Sequence, residues 1–271
     1  GRLGEPAAVA PVRLFDCGDG VFSLEIAGAG PKEAIARTAL GLQRAQEESG
    51  LKVLMLSGIE HCFPSGSRDE YNEAVERGLF RQLSSFPYPV VALLSGDVVG
   101  AGALAAALCD VLVCSEESRL LCAVPHQRFH PTQAEASLLR ERFGAARAHD
   151  LLHAATFSTG RQLRAKGWTG PIRPAADVEA HARELASLLA AKSRDALRLL
   201  KGHLTRDLAA LAERLARVEV PDASSEADGQ PRPVAVVRHG RAGLKDLLVD
   251  PAAHYGAVVL VGDDPDVPDA V

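Results

Sequence analysis

Residues Pro89 to Asp110, PVVALLSGDVVGAGALAAALCD, constrain the fold of this chain more than any other stretch. Val90 to Leu94 is a continuous apolar run too short for a helix of its own, so it predicts a strand covered on both faces. Gly96, Gly100 and Gly102 then mark a tight corner, and the small residues after it predict a helix packed closely against its surroundings. The first N–H groups of such a helix have no partners within it, so they can bind an anion or a developing oxyanion. Close packing alone would also explain small residues at a strand-to-helix corner.

A second stretch repeats the arrangement. Lys52 to Ser57 (KVLMLS) reads as another buried strand, and GIEHCFPSGSRDEY leads through Phe63, Gly66 and Ser67 into a helix. Two sources of main-chain N–H groups can then converge on one carbonyl oxygen. At these residues the chain resembles the crotonase, or enoyl-CoA hydratase/isomerase, superfamily. FPSGSR matches one family signature and PVVALLSGDVVGAGALAAALCD the other, with Ala101 in place of the middle glycine. The resemblance continues through VLVCSEESRLLCAVPHQRFHPTQAEASLLRERFG and, less clearly, to about Val220.

The resemblance implies an α/β crotonase fold, with a repeated ββα-type core and a C-terminal helical region. It also implies an oxyanion hole made by the main-chain N–H groups of Ser67 and Ala101, with Gly66, Gly100, Gly102 and Arg68 against the substrate. The two glutamates that handle water in hydratases fall on Leu104 and Val124, which line the pocket but cannot transfer a proton. Water addition is therefore disfavoured, because general acid–base catalysis is worth orders of magnitude in rate. One branch of the superfamily, the decarboxylases of polyketide β-branching, lacks both glutamates and acts on a glutaconyl-type thioester tethered to an acyl carrier protein. Decarboxylation needs a stabilised enolate, a poorly solvated carboxylate and a proton donor for carbon, but no activated water.

The branch also carries a tyrosine, a lysine one turn later and a histidine near the C-terminal helix. Tyr71 matches the tyrosine, whereas the lysine position falls on Val75 and no histidine lies between Arg217 and His239. His126 and His130 are the expected replacements as proton donors, since histidine titrates near neutrality. Against this, both sit between Pro125 and Pro131, where a solvent-facing histidine is common. Arg68 and Arg77 equally fit the solvated face of a charged helix, and Tyr71 a packed ring. The functional expectations are a carrier-bound acyl-thioester decarboxylase or, alternatively, a catalytically degenerate crotonase domain that binds or assembles. A third reading keeps hydratase or isomerase activity through unconventional residues. The implied partner is an acyl carrier protein or a CoA thioester, with no cofactor and no metal beyond the phosphopantetheine or CoA arm, and the implied assembly is a homotrimer.

Composition narrows the classes. The 271 residues carry a net charge of −5, which offers no basic field for nucleic acid. No apolar run reaches the roughly 20 residues that a membrane helix needs, so a cytoplasmic location without membrane contact is expected. Cys17, Cys62, Cys109, Cys114 and Cys122 lack metal-like spacing and are expected as free thiols, mostly buried, rather than as a disulfide framework. Cys62 has no local basic group to make it a nucleophilic thiolate.

In chain order, residues 1–11 read as a linker and 12–132 as the crotonase core. Within the core, Val12–Phe15 and Val21–Ile26 predict a hairpin, Pro31–Glu48 a helix and Arg68–Ser85 a second helix. Asp110–Cys114 and Arg119–Ala123 predict two further strands. Residues 133–220 predict a helical part of the same domain and 221–233, rich in Pro, Gly and Ser, a linker. Residues 234–271 form an appended segment, with strands at Val234–Val237 and Ala257–Val261 flanking a helical-looking GLKDLL.

Overall fold

The computed structural model describes residues 12–122, 133–153, 157–215, 234–238 and 257–261. Its contacts divide the chain into one unit ending at Glu219 and a second beginning at Val220. The predicted helix GLKDLL, the linkers at 1–11 and 221–233, and Ala123 at the end of a predicted strand lie outside the described residues.

The first unit begins with the hairpin β1 (Arg13–Asp16) and β2 (Val21–Glu25), antiparallel and turned by Gly18, Asp19 and Gly20. Helix α1 (Pro31–Glu47) returns the chain to β3 (Val53–Ser57), which lies parallel to β2. Pro31 suits the first turn because that turn's N–H groups have no helical partner, and Ile35, Ala39, Leu42 and Ala45 form its buried stripe.

Strand β4 (Val90–Leu94) then enters between β3 and β6 (Val111–Ser115), parallel to both. Every residue of β4 is buried, as a continuous apolar run between two layers requires. The main sheet runs β1-β2-β3-β4-β6-β9, ending on β9 (Ile172–Arg173). Helix α9 (Val178–Ala190) packs across β3, β4 and β6 through Val178, Ala182, Ala186 and Ala190. Three alanines at four-residue spacing let its backbone lie close to the sheet.

A second sheet joins β5 (Val98–Val99), β7 (Arg119–Leu121) and β8 (Ser158–Thr159). The Ser118 hydroxyl donates to Leu94 O at 2.6 Å, which ties this sheet to the end of β4.

Two expectations are corrected. The helix expected over Arg68–Ser85 is two helices, α3 (Arg68–Glu76) and α4 (Leu79–Ser84), after a short α2 (Ile59–Cys62). Gly78 breaks it with φ +66°, a conformation in which a helix cannot continue. The region after Gln133 is not helical throughout. It holds α6 (Gln133–Phe143), α7 (Ala145–His153), α8 (Gly160–Ala165), α9, α10 (Arg194–Leu204) and α11 (Arg206–Leu215), with β8 and β9 between them. Each of those strands has two residues and exists through its pairing, β8 with β7 and β9 with β6.

In the second unit, β10 (Val234–Arg238) and β11 (Ala257–Val261) pair in parallel in a sheet of their own.

Candidate active site

Both glycine corners follow the carboxyl ends of parallel strands, the first after β3 and the second after β4. Helix α5 (Ala101–Ala107) starts at the second corner, and all of its residues are buried. The sequence AGALAAA permits this because no side chain longer than that of Leu104 has to be accommodated.

The two corners meet backbone to backbone. Gly66 and Gly100 have φ +63° and +51°. A Cβ on Gly100 would lie 2.8 Å from Gly66 O and 3.0 Å from Gly66 Cα. Glycine at both places is therefore a condition of the contact, for conformation and for space. Gly100 N–H donates to Leu121 O at 2.8 Å, which fixes the second corner on β7. The phenyl group of Phe63 covers Gly102, where a Cβ would come within 3.3 Å of Phe63 Cβ.

The expected oxyanion donors stand in different conditions. Ala101 N–H opens α5, with Ala101 fully buried. Ser67 N–H is already engaged: it donates to Glu70 Oε2 at 3.2 Å, and Glu70 N–H donates to Ser67 Oγ at 3.3 Å. This reciprocal cap starts α3. The other Glu70 oxygen accepts from the Ser65 hydroxyl at 2.6 Å and from Ser65 N–H at 3.3 Å. A carboxylate thus holds the amide that the family resemblance assigns to the thioester oxygen. Ser67-x-x-Glu70 is legible as a capping box, the signal that would have disclosed Glu70.

Tyr71 lies one turn into α3 and is 1% exposed. Its ring packs on Phe80 at 5.5 Å between centroids, and the Arg68 guanidinium lies over it at 5.1 Å. The hydroxyl is hydrogen-bonded to the carboxylate of Glu135 on α6, and burial together with Glu135 pushes the phenol well above its ordinary range. Glu135 is fully buried and was not anticipated, since a glutamate in a helix reads as part of a solvated face. Its burial follows from the packing of α6 against α5.

Leu104 is 1% exposed and belongs to the core. Val75, at the lysine position, packs partly buried against that core. Arg77 is not brought to the site: it caps α3 and pairs with Glu73 at 2.9 Å on a half-exposed surface. Val124, His126 and His130 lie outside the described residues. A cavity of about 230 Å³, lined by Arg142, Arg147 and Trp168 among others, sits at the amino-terminal ends of β6 and β9 and shares no residue with the glycine corners.

Four of the five thiols are inert by placement. Cys62 is 1% exposed and 3.4 Å from Thr38 Oγ1, and burial pushes it up to about 12. Cys109, Cys114 and Cys122 are likewise buried and pushed to about 12, while Cys17 is partly exposed. A thiol reagent at pH 8 is expected to label one cysteine promptly and the other four only after unfolding. The native state keeps these protons where the unfolded chain loses them. Stability is therefore expected to fall as the pH rises above 9.0, the ordinary thiol value, by ~1.4 kcal/mol per pH unit for each buried thiol. Chemical denaturation between pH 8 and 10 measures the slope.

Among the described residues no helix is long and apolar enough to cross a membrane, and no cluster of three or more His, Cys, Asp or Glu is placed to hold a metal.

The family pattern described as enoyl-CoA hydratase/isomerase matches residues 32–220. The bacillaene synthase decarboxylase PksI of Bacillus subtilis is 29% identical over 175 residues, 62% of this chain and 69% of the relative. A putative enoyl-CoA hydratase of Thermus thermophilus is 28% identical over 174 residues, 59% of this chain and 68% of the relative. Among solved structures, the ECH2 decarboxylase domain of CurF from Lyngbya majuscula superimposes with a TM-score of 0.65 at 22% identity, covering 76% of this chain and 89% of that one. A structure described as part of a dehydratase/decarboxylase couple in polyketide beta-branching gives 0.64 at 20% identity, with the same coverage. The glycine corners, the parallel sheet and the matched span of 32–220 agree, and the chain belongs to the enoyl-CoA hydratase/isomerase, or crotonase, family.

Proposed function

We propose that this domain decarboxylates a glutaconyl-type acyl thioester, delivered on the phosphopantetheine arm of an acyl carrier protein or on CoA, through an enolate held at the glycine corners. The observation that supports this reading is the close backbone contact between Gly66 and Gly100, the residues that immediately precede Ser67 and Ala101. Loss of carbon dioxide puts an electron pair onto the thioester oxygen, and main-chain N–H groups in a water-poor corner stabilise that charge without reorganising. Leu104 at the position of a hydratase glutamate argues against water addition. The family membership and the similarity to the bacillaene synthase decarboxylase of Bacillus subtilis support the same reaction class.

One observation favours a second reading, in which the domain binds an acylated carrier without turning it over: the Glu70 carboxylate occupies Ser67 N–H. The two readings separate by mass spectrometry of a glutaconyl-loaded carrier protein incubated with the domain. A loss of one carbon dioxide supports the enzyme, and an unchanged mass with retained carrier binding supports the module. Glu70→Ala sharpens the contrast. It removes a cap worth about 1 kcal/mol and frees an amide, so an active domain is expected to turn over faster, by up to about 100-fold, while a binding module stays inactive.

A further inference from the structure

The cavity of about 230 Å³ lies at the edge of the sheet opposite the glycine corners, where β6 and β9 begin. Arginines from two helices line it. Arg142 comes from the last turn of α6 and Arg147 from the first turn of α7, and between them Gly144 turns the chain at φ +83°. A helix that ran on without this corner would set residues five apart on different faces.

The two guanidiniums are held by carbonyl oxygens. Arg142 donates to Asp110 O, and Arg147 donates to Gly167 O and, at 3.5 Å, to Phe143 O. Among the described residues no carboxylate pairs with either one. The lining's one carboxylate, that of Asp110, is already taken by the Lys201 ammonium and by Val90 N–H at 2.7 Å. The wall is therefore net positive. Arg147 also stands at the end of α7 where the helix dipole disfavours a cation, so an anion beside it relieves a local cost.

Two buried donors point the same way. Arg147 Nε and Trp168 Nε1 are shielded from solvent and have no hydrogen-bond partner among the described residues. A buried N–H group without an acceptor is costly, and in a folded protein it marks a place where an ion, a ligand or a water supplies one. A Cβ on Gly170 would lie 2.5 Å from Trp168 Nε1, so glycine there keeps the indole edge uncovered. Beside these polar groups the cavity has an apolar wall. The rings of Phe143 and Trp168 pack at 4.9 Å between centroids, next to Leu112 and Pro171. Leu112, Phe143 and Trp168 also line a smaller, mainly apolar cavity of about 20 Å³.

We propose that this cavity binds a phosphate monoester, with the phosphate between the Arg142 and Arg147 guanidiniums and the apolar or aromatic group of the ester against Phe143 and Trp168. A dianion balances two guanidiniums where a carboxylate balances one, and the planar fork of arginine presents parallel N–H donors to phosphate oxygens. The site shares no residue with the glycine corners, so it stands whether or not the domain is a decarboxylase.

Trp168 is the sole tryptophan of the chain, and its fluorescence therefore reports on this site alone. The test titrates phenyl phosphate, inorganic phosphate and benzoate into the domain at constant ionic strength in chloride. Phenyl phosphate is expected to change the emission saturably and to bind about 10-fold more tightly than either of the others. Arg147→Gln is expected to weaken it by about 10-fold or more, whereas Arg183→Gln, in an exposed ion pair on α9, leaves it unchanged. Trp168→Phe, followed by calorimetry, keeps an aromatic ring against Phe143 and removes the indole N–H, and is expected to weaken binding by about 5-fold. This second variant tests the site even where loss of Arg147 disturbs α7.

No saturable response to phenyl phosphate, wild-type affinity in both Arg147→Gln and Trp168→Phe, or benzoate bound as tightly as the ester would overturn the proposal. Inorganic phosphate bound as tightly as phenyl phosphate would overturn the ester and identify the free ion as the ligand.

Discussion

Gly100→Ala is expected to reduce thioester turnover by about 100-fold or more and to destabilise the domain by ~1–3 kcal/mol. The added Cβ would sit 2.8 Å from Gly66 O, against backbone that cannot swing aside, at a φ of +51° that side chains rarely adopt. Relief of that clash has to separate the corners, and a separation of a few tenths of an ångström takes one N–H out of reach of a shared oxygen. Turnover assays and urea denaturation together measure both losses. Gly202→Ala on α10 is the control, because a Cβ there meets nothing within 4 Å and the substitution is expected to be neutral or mildly stabilising.

Asp110→Ala is expected to cost ~3–5 kcal/mol, the largest stability effect of any single change considered. Asp110 Oδ2 accepts from Val90 N–H at 2.7 Å and from the ammonium of Lys201, which is 4% exposed. The Arg142 guanidinium also donates to Asp110 O. One side chain therefore joins the start of β4, the end of the α5 turn and helix α10. Its removal strands a buried ammonium and an N–H group at once. Lys201→Met is expected to cost less, because the carboxylate it leaves is partly exposed and keeps the Val90 N–H. Urea midpoints of the two variants check that order.

The motif that organises the sequence thus ends on a structural residue, and this sets how much could be read in advance. The sheet was legible: KVLMLS and VVALL are unbroken apolar runs bounded by turn residues, and the Cys-Gly-Asp-Gly turn specified the first hairpin. The corners were legible too, because a positive φ and a close backbone approach both select glycine.

What escaped were features set by tertiary contact. The apolar spacing of α3 runs on into α4, so only the conformation of Gly78 separates them. Strands β8 and β9 are too short to have a period. Glu135 looks like a solvated helix residue until it is seen buried under α5, whereas Glu70 was signalled locally by the Ser67-x-x-Glu70 spacing. Leu104 was correctly read as unable to move a proton, but the carboxyl group next to Tyr71 came from α6, where the family pattern gave no reason to look.

The account depends on one oxygen shared by two amides. The most direct measurement is a crystal structure of the domain with an acyl-phosphopantetheine analogue whose thioester is replaced by a stable oxyanion mimic. The account predicts the mimic's oxygen at about 2.7–3.1 Å from both Ser67 N and Ala101 N, with the Glu70 carboxylate turned away from Ser67. An oxygen bound elsewhere, or Glu70 still holding Ser67 N–H beside a bound acyl group, would contradict it.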